Sequence, residues 1–204
     1  MSGLAVRPLF AAGAYLLGAL PTGYLLFRRS ERTDIRTLGS GATGATNVLR
    51  LKGWRLAVPV AVIDIAKGFL PAFLAARLFP DPVFPAFCAS LAVVGHCFPV
   101  YIGFKGGKGV ATAAGGMLAL APLAALGCLA VFVAVVVLTR FVSLGSILAA
   151  LAFPMWLLVL RAPHPFVLCT LPIVLVIGLR HAANIGRLIR GQEQKLGEKA
   201  PQRP

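Results

Sequence analysis

Long apolar runs separated by short polar segments are the dominant pattern of this chain. They lie at about residues 4–27, 56–79, 84–103, 110–122, 124–139, 142–160 and 165–180. A helix needs roughly 17–25 residues to cross a bilayer, so the pattern predicts an all-α, polytopic bundle of seven transmembrane helices. The fourth and fifth runs are short and rich in glycine and proline (Gly115, Gly116, Pro122, Gly127). Five spans are the fallback count if these two runs merge or re-enter instead of each crossing the membrane.

Composition supports a membrane protein. The chain is 58% apolar and 13% charged, whereas a soluble domain is about 45–50% apolar and about 25% charged. A core of this size cannot hide so much apolar surface, so lipid must cover part of it. We expect residues 1–193 to form one membrane-embedded domain and residues 194–204 to form a disordered, polar cytoplasmic tail.

The positive charge is unevenly distributed along the chain. With seven spans and the N-terminus outside, the cytoplasmic loops and the cytoplasmic C-terminus hold all but four of the 20 Lys and Arg residues; the four are Arg7, Lys67, Arg77 and Arg161. This distribution satisfies the positive-inside rule, and the reverse orientation would violate it. The net charge of +14 lies in short clusters between apolar runs, which favours anionic lipid or anionic substrates over nucleic acid as partners.

Two glycine-rich segments fall on the predicted cytoplasmic side. The first precedes Arg50 and comprises Gly39, Ser40, Gly41, Gly44, Ala45, Thr46 and Asn47. Glycines allow backbone N–H groups to converge on one anion, and a helix beginning near Thr46 would add its positive dipole end. The segment also fits G-x-G-x-x-G, but a dinucleotide fold needs a preceding strand, and none is predicted. A flexible loop of small residues remains the alternative.

The second segment contains Lys105, Gly106, Gly107, Lys108 and Gly109 before an apolar run. It is not a Walker A loop, because Gly109 occupies the position of the magnesium-binding Ser or Thr. Two lysines among glycines still indicate an anion cradle, although a simple positive anchor at the membrane surface is the alternative. His96 precedes this segment, and it is either a functional residue at membrane depth or a neutral histidine bonded to backbone.

Three further polar features are weaker signals. Ser143 lies in a short turn, residues 140–146, that enters the sixth span, and it could bind a substrate or its own helix. His181 and Asn184, three residues apart, share a helix face at the end of the last span. Asp64 and Lys67 lie three apart inside the second span, where structural pairing is the leading interpretation. The four cysteines fall in apolar runs without metal-ligand spacing, so we expect no metal site.

Together the polar segments resemble the PlsY family, the bacterial membrane acyltransferases that transfer an acyl chain from acyl phosphate to glycerol 3-phosphate. Three of its motifs are G-S-G-N-x-G-A-T-N-V-x-R, G-H-x-F-P-V-[YF]-x-x-F-K-G-G-K-G-V-A-T and R-H-x-x-N-I-x-R-L-x-x-G-x-E-x-K. The chain matches them in order and spacing, except that Ala42 and Thr43 replace the usual asparagine and its neighbour. That change removes one amide from the first loop, so we expect weaker donor binding and not loss of activity.

The resemblance implies an enzyme of the bacterial cytoplasmic (inner) membrane whose active site faces the cytoplasm. It would make 1-acylglycerol 3-phosphate and phosphate, the first step of phosphatidic acid synthesis, without a cofactor. Its partners would be acyl phosphate, glycerol 3-phosphate, membrane lipid and an enzyme that makes acyl phosphate. The implied catalytic residues are Ser40, Arg50, Lys108, His181 and Asn184. The implied substrate-binding residues are Gly39, Gly41, Gly44, Ala45, Thr46, Asn47, Lys105, Gly106, Gly107, Gly109 and Ser143.

Two observations bear on mechanism and on the alternatives. None of the three histidines fits the H-x-x-x-x-D pattern of acyl-CoA acyltransferases, so we expect a substrate phosphate oxygen to take the hydroxyl proton. An organophosphate transporter would also line a cavity with basic residues, but little polarity crosses the midplane here beyond Asp64 and Lys67. A membrane scaffold would need only basic loops, and its function would then be insensitive to loss of Lys108 or Asn184.

Overall fold

The computed structural model describes residues 3–198, which fold into helices and connecting loops. Ten α-helices occur within these residues. They are α1 (Gly3–Gly18), α2 (Thr22–Glu31), α3 (Ala45–Lys52), α4 (Trp54–Leu78), α5 (Val83–Cys97), α6 (Val110–Leu120), α7 (Pro122–Thr139), α8 (Val142–Val159), α9 (His164–Arg180) and α10 (Ala182–Ile189). The predicted all-helical membrane architecture is confirmed.

Five or six of the apolar segments are long enough to cross a membrane. Five qualify alone, namely Val6–Glu31, Trp54–Leu78, Val83–Ile102, Pro122–Thr139 and Val142–Val159. The sixth is formed by α9 and α10 together, which meet at a bend of 56°. The predicted fourth span corresponds to α6, which has 11 residues and is shorter than a full span. It does not merge with α7, because Ala121 leaves helical geometry and Pro122 starts the next helix.

Helix α4 packs against α6 through small residues. A Cβ added to Gly68 would lie 1.9 Å from the Thr112 carbonyl oxygen, and one added to Gly115 would lie 2.0 Å from that of Ile65. Glycine at these positions therefore lets two backbones approach closely, as is common between membrane helices. Large apolar side chains such as Val137 and Leu138 remain exposed on the outside of the bundle, where lipid can cover them.

The C-terminal segment folds back over the turn between α7 and α8. The backbone N–H of Leu196 donates to the Arg140 carbonyl oxygen at 2.7 Å, and the Arg140 guanidinium donates to the Leu196 carbonyl oxygen at 2.8 Å. Leu196 is thus held against this turn by two hydrogen bonds, and the division of the chain at residue 193 stays a prediction. Residues 199–204 of the predicted tail lie outside the described residues.

Candidate active site

The first glycine-rich segment forms a tight loop closed by the side chain of Asn47. Gly39 and Gly41 have φ values of +55° and +73°, a region that glycine adopts without steric cost. The Asn47 carbonyl oxygen accepts from the Ser40 N–H at 3.0 Å, and its amide donates to the Ala42 and Leu38 carbonyl oxygens at 2.9 and 3.3 Å. The Asn47 amide thus braces the loop, and its predicted contact with substrate stays a prediction. Helix α3 begins next, at Ala45.

The second glycine-rich segment is held from two sides. The Gly106 and Gly107 N–H groups donate to the Cys97 and His96 carbonyl oxygens at 3.3 and 3.1 Å. From the other side, the Arg180 guanidinium donates to the Gly106 and Gly107 carbonyl oxygens at 2.9 and 3.0 Å. This double attachment fixes the backbone immediately before Lys108.

Lys108 points into the interior of the site and joins it to α10. Its ammonium donates to the side-chain oxygen Oδ1 of Asn184 at 2.5 Å. Burial lowers the pKa of Lys108 to about 8; the Glu193 charge opposes this shift and the cations Arg187, Arg50 and Arg180 add to it. The ammonium is therefore still charged at neutral pH but is poised closer to deprotonation than an ordinary lysine. Lys105, the other lysine of the segment, lies on the exposed surface.

Glu193 follows α10 and contacts two of its side chains. Its carboxylate accepts from the Asn184 amide at 2.6 Å and from the Arg187 guanidinium at 2.7 Å, and its side chain is 1% exposed. Burial alone would raise the pKa of Glu193, but these contacts and the nearby Ser143 hydroxyl hold it below the ordinary value. A continuous chain of hydrogen bonds thus runs from Lys108 through Asn184 and Glu193 to Arg187.

His181 and Ser143 are buried beside this chain. The Nδ1 atom of His181 lies 2.8 Å from the Ile177 carbonyl oxygen, so in a neutral ring Nδ1 carries the proton and Nε2 is left as an acceptor. The Ser143 hydroxyl lies near the Glu193 carboxylate but makes no well-formed hydrogen bond within residues 3–198. By contrast, the Ser146 hydroxyl donates to the Val142 carbonyl oxygen of its own helix at 2.8 Å.

These residues line two adjoining cavities. The larger has a volume of about 490 Å³, with a polar end that includes Ser40, Arg50, Lys108, His181 and Asn184. Helices α6, α7 and α8 add apolar walls, which include Met117, Leu118, Leu126, Leu129 and Phe132. The smaller cavity, of about 190 Å³, is lined by Ser40, Gly41, Ala42, Lys108, Arg180, Ala183, Asn184 and Arg187. The arrangement offers one basic region for anions and one continuous apolar region for a hydrocarbon chain.

The structure brings together most of the residues predicted from the sequence. The larger cavity is lined by all five predicted catalytic residues and also by Gly44, Ala45, Thr46, Asn47, Gly109 and Ser143. Gly41 lines the smaller cavity. Four predicted residues line neither cavity: Gly39, Lys105, Gly106 and Gly107. Three of these are glycines whose contribution is to loop shape, and Lys105 faces outward.

Several lining residues were not among the predicted site residues. Asp64, His96 and Glu193 line the larger cavity, and Arg180 lines the smaller one. Arg180 and Glu193 belong to the segment that carries His181 and Asn184, which was the available signal. Among the described residues, no three His, Cys, Asp or Glu side chains are grouped so that they could hold a metal ion.

Comparison with known proteins gives concordant matches over nearly the whole chain. A family model described as glycerol-3-phosphate acyltransferase matches residues 8–191. The chain is 47% identical over 184 residues to a glycerol-3-phosphate acyltransferase of Syntrophotalea carbinolica, covering 89% of this chain and 93% of that protein. It is 43% identical over 188 residues to the enzyme of the same name from Geobacter sulfurreducens, covering 92% and 96%.

Two solved structures share the fold. Both are crystal structures of PlsY (YgiH), an integral membrane glycerol 3-phosphate acyltransferase. The glycerol 3-phosphate form is 38% identical with a TM-score of 0.91, and the lysophosphatidic acid form is 36% identical with a TM-score of 0.87. Each match covers 94% of this chain and 96% of the solved chain.

Proposed function

The chain belongs to the glycerol-3-phosphate acyltransferase family, and we propose that its own donor is an acyl phosphate. It is an integral membrane enzyme that acylates glycerol 3-phosphate. In the proposed reaction the sn-1 hydroxyl takes the acyl chain, and 1-acylglycerol 3-phosphate and inorganic phosphate leave, as a first step of phospholipid synthesis. The observation that carries the donor assignment is the pair of adjoining cavities that share Ser40, Ala42, Lys108 and Asn184. They offer basic positions for two phosphates next to one apolar wall.

The bond changes follow from the chemistry of a mixed anhydride. The glycerol oxygen attacks the acyl carbonyl carbon, a new ester C–O bond forms, and the C–O bond to phosphate breaks. Negative charge develops on the carbonyl oxygen and then on the departing phosphate. Preorganised cations and N–H donors stabilise such charge most effectively in a site that excludes water. Lys108 and Arg50 are the cations of the larger cavity that we assign to this task.

The hydroxyl proton goes to an oxygen of the substrate phosphate. Glu193 is engaged by Asn184 and Arg187 and its pKa is held low, so it is a poor proton acceptor. His181 is tied to Ile177 through Nδ1, which suits its Nε2 to accept a hydrogen bond from a substrate hydroxyl. We therefore assign His181 and Ser143 to holding glycerol 3-phosphate, without an obligatory protein base.

The proposed location is the bacterial cytoplasmic membrane, with the site facing the cytoplasm and the N-terminus outside. The loops that build the site carry most of the arginine and lysine residues, and the positive-inside rule favours the cytoplasmic side for such loops. We count seven membrane-embedded helical elements in this arrangement, with α6 as a short one. An enzyme that makes acyl phosphate is the protein partner that this reaction would require.

The test compares donors with the purified, detergent-solubilised protein. Lysophosphatidate and phosphate are measured with glycerol 3-phosphate and either palmitoyl phosphate or palmitoyl-CoA. Turnover with palmitoyl phosphate alone is the expected result; turnover only with the CoA ester would overturn the donor assignment. Lys108→Ala should lose most of the activity. Lys52→Ala is the matched control, because Lys52 pairs with Glu31 at the same end of the molecule but lines neither cavity.

If neither donor gives lysophosphatidate or phosphate, the transporter alternative is tested next. Sealed vesicles containing the protein would then be tested for accumulation of labelled glycerol 3-phosphate in the absence of donor. Accumulation there would replace the acyltransferase assignment, and no accumulation is the expected result.

A further inference from the structure

Three ionisable side chains form a buried cluster beside the larger cavity. Asp64 and Lys67 lie three residues apart on α4, and His96 lies near the end of α5. The Asp64 carboxylate is 2.8 Å from the Lys67 ammonium and 3.6 Å from Nδ1 of His96. Asp64, Lys67 and His96 are only 1%, 3% and 6% exposed, respectively. Asp64 and His96 both line the cavity, yet the proposed reaction uses neither of them.

Lys67 connects this cluster to the break in the first span. Its ammonium donates to the Leu20 carbonyl oxygen at 2.8 Å, between the end of α1 and the start of α2. Pro21 follows directly and has no N–H to offer, and the helix is interrupted here between Gly18 and Thr22. Lys67 thereby ties α4 to the point from which α2 leads toward the first glycine-rich loop.

His96 connects the same cluster to the second glycine-rich loop. Its carbonyl oxygen accepts from the Gly107 N–H, and its imidazole packs so closely on Gly107 that an added Cβ would lie 2.1 Å from Nε2. Lys108 is the next residue. The His96 ring faces the Asp64 carboxylate without a hydrogen bond between them, and it is separated by one glycine from the lysine that lines both cavities.

Stability alone does not account for such a cluster. Replacing a buried ion pair by apolar residues of similar size is often neutral or stabilising, because removing two charges from water is costly. Ionisable residues at membrane depth are accordingly rare and are usually associated with function. We propose that Asp64, Lys67 and His96 are positioning residues that hold the glycine-rich loop, and so determine where Lys108 meets the substrate phosphate. This proposal rests on the role assigned to Lys108 above.

A double-mutant cycle between Asp64 and Lys108 tests it. Wild type, Asp64→Asn, Lys108→Ala and the double variant are compared in kcat/KM with palmitoyl phosphate, and in glycerol 3-phosphate affinity by calorimetry. A displacement of about 1 Å can cost on the order of 10²-fold in rate, so Asp64→Asn should lower kcat/KM by about ten- to a hundredfold. In the Lys108→Ala background the same change should cost less than about threefold, since coupled residues are not additive.

Two controls keep the result decisive. Asp81→Asn breaks the Arg7–Asp81 ion pair beyond the far end of α4; it should change kcat/KM less than about twofold in either background. If Asp64→Asn does not fold, the apolar pair Asp64→Leu with Lys67→Met takes its place in the cycle. That pair should retain thermal stability while losing activity.

The positioning role would be overturned if the losses in kcat/KM from Asp64→Asn and Lys108→Ala simply multiplied in the double variant. It would also be overturned if the variant with Asp64→Leu and Lys67→Met were stable and kept full kcat/KM. Failure of the donor assignment would be separate: wild type would be silent with palmitoyl phosphate. The calorimetric cycle with glycerol 3-phosphate, which needs no donor, would still decide whether Asp64 acts through Lys108.

Discussion

The ammonium of Lys108 should set the alkaline limit of the enzyme. Burial, together with the charges of Arg187, Arg50 and Arg180 and against that of Glu193, lowers the pKa of Lys108 to about 8. A lowered lysine pKa means that the charged form is complete well below pH 8 and is lost as the pH rises through that value. Both substrate phosphates are already dianionic in this range, since their second pKa lies near 6. The titration of Lys108 should therefore dominate the alkaline limb.

The size of the effect follows from what the charge contacts. In the proposed complex the partner of Lys108 is a substrate phosphate, and truncating one member of such a buried charge pair costs about 2–5 kcal/mol, so Lys108→Ala should lower kcat/KM by roughly 10²–10³-fold. A rise in pH removes the same charge progressively, because a growing fraction of Lys108 is deprotonated. Because kcat/KM reports the free enzyme, it should fall about tenfold per pH unit above a pKa of about 8.

Initial rates of lysophosphatidate formation between pH 6.5 and 9.5 provide the assay. Lys108→Arg is the informative comparison, because a guanidinium stays protonated across this range. The arginine variant should be slower than wild type at pH 7 but should keep a flat profile to pH 9.5. A wild-type profile that stays flat, or an alkaline fall that survives in Lys108→Arg, would refute the assignment of the limb to Lys108.

Three further outcomes are expected. Gly107→Ala should abolish most activity, because its Cβ would lie 2.1 Å from Nε2 of His96; wild-type rates would contradict the packing. Ser143→Ala should raise the KM for glycerol 3-phosphate by about three- to tenfold, the loss of one hydrogen bond. Ser146→Ala should change it less than twofold, since that hydroxyl serves its own helix. His181→Ala should raise KM with at most about a tenfold loss of kcat; a far larger loss of turnover at unchanged affinity would identify an obligatory base.

Hydropathy predicted the order of the helices well because lipid imposes a simple requirement on every span. It was less informative for α6, since the 11 residues from Val110 to Leu120 have the apolar composition of a span but not its length. The count of five to six long spans reflects this element and the bend before α10. Local rules also placed the start of α3 correctly, because glycines followed by a helix-forming run are a strong local signal.

The site residues that escaped prediction are those whose role depends on contacts distant in sequence. The Arg180 guanidinium donates to the carbonyl oxygens of Gly107 and Gly106, which lie 73 and 74 residues away in sequence. No local pattern distinguishes it from an anchoring arginine at the membrane surface. Lys105 shows the converse. Like Lys108 it is followed by a glycine, but it lies before the two glycines whose backbone is held by His96, Cys97 and Arg180, and it faces outward. Spacing alone cannot separate two lysines whose directions are set by other helices.

The contacts of Asn47 bear on the departure from the family pattern at Ala42. The sequence suggested an amide that donates to substrate, but all three of its hydrogen bonds close the loop, and one of them goes to the Ala42 carbonyl oxygen. That bond uses backbone, so it survives whichever side chain stands at residue 42. The replacement of asparagine by Ala42 therefore leaves the loop braced and removes only what the missing amide could offer to a ligand. Ala42→Asn should accordingly raise acyl phosphate affinity with little change in thermal stability; a clear gain in stability would mean that the lost amide had instead supported the loop.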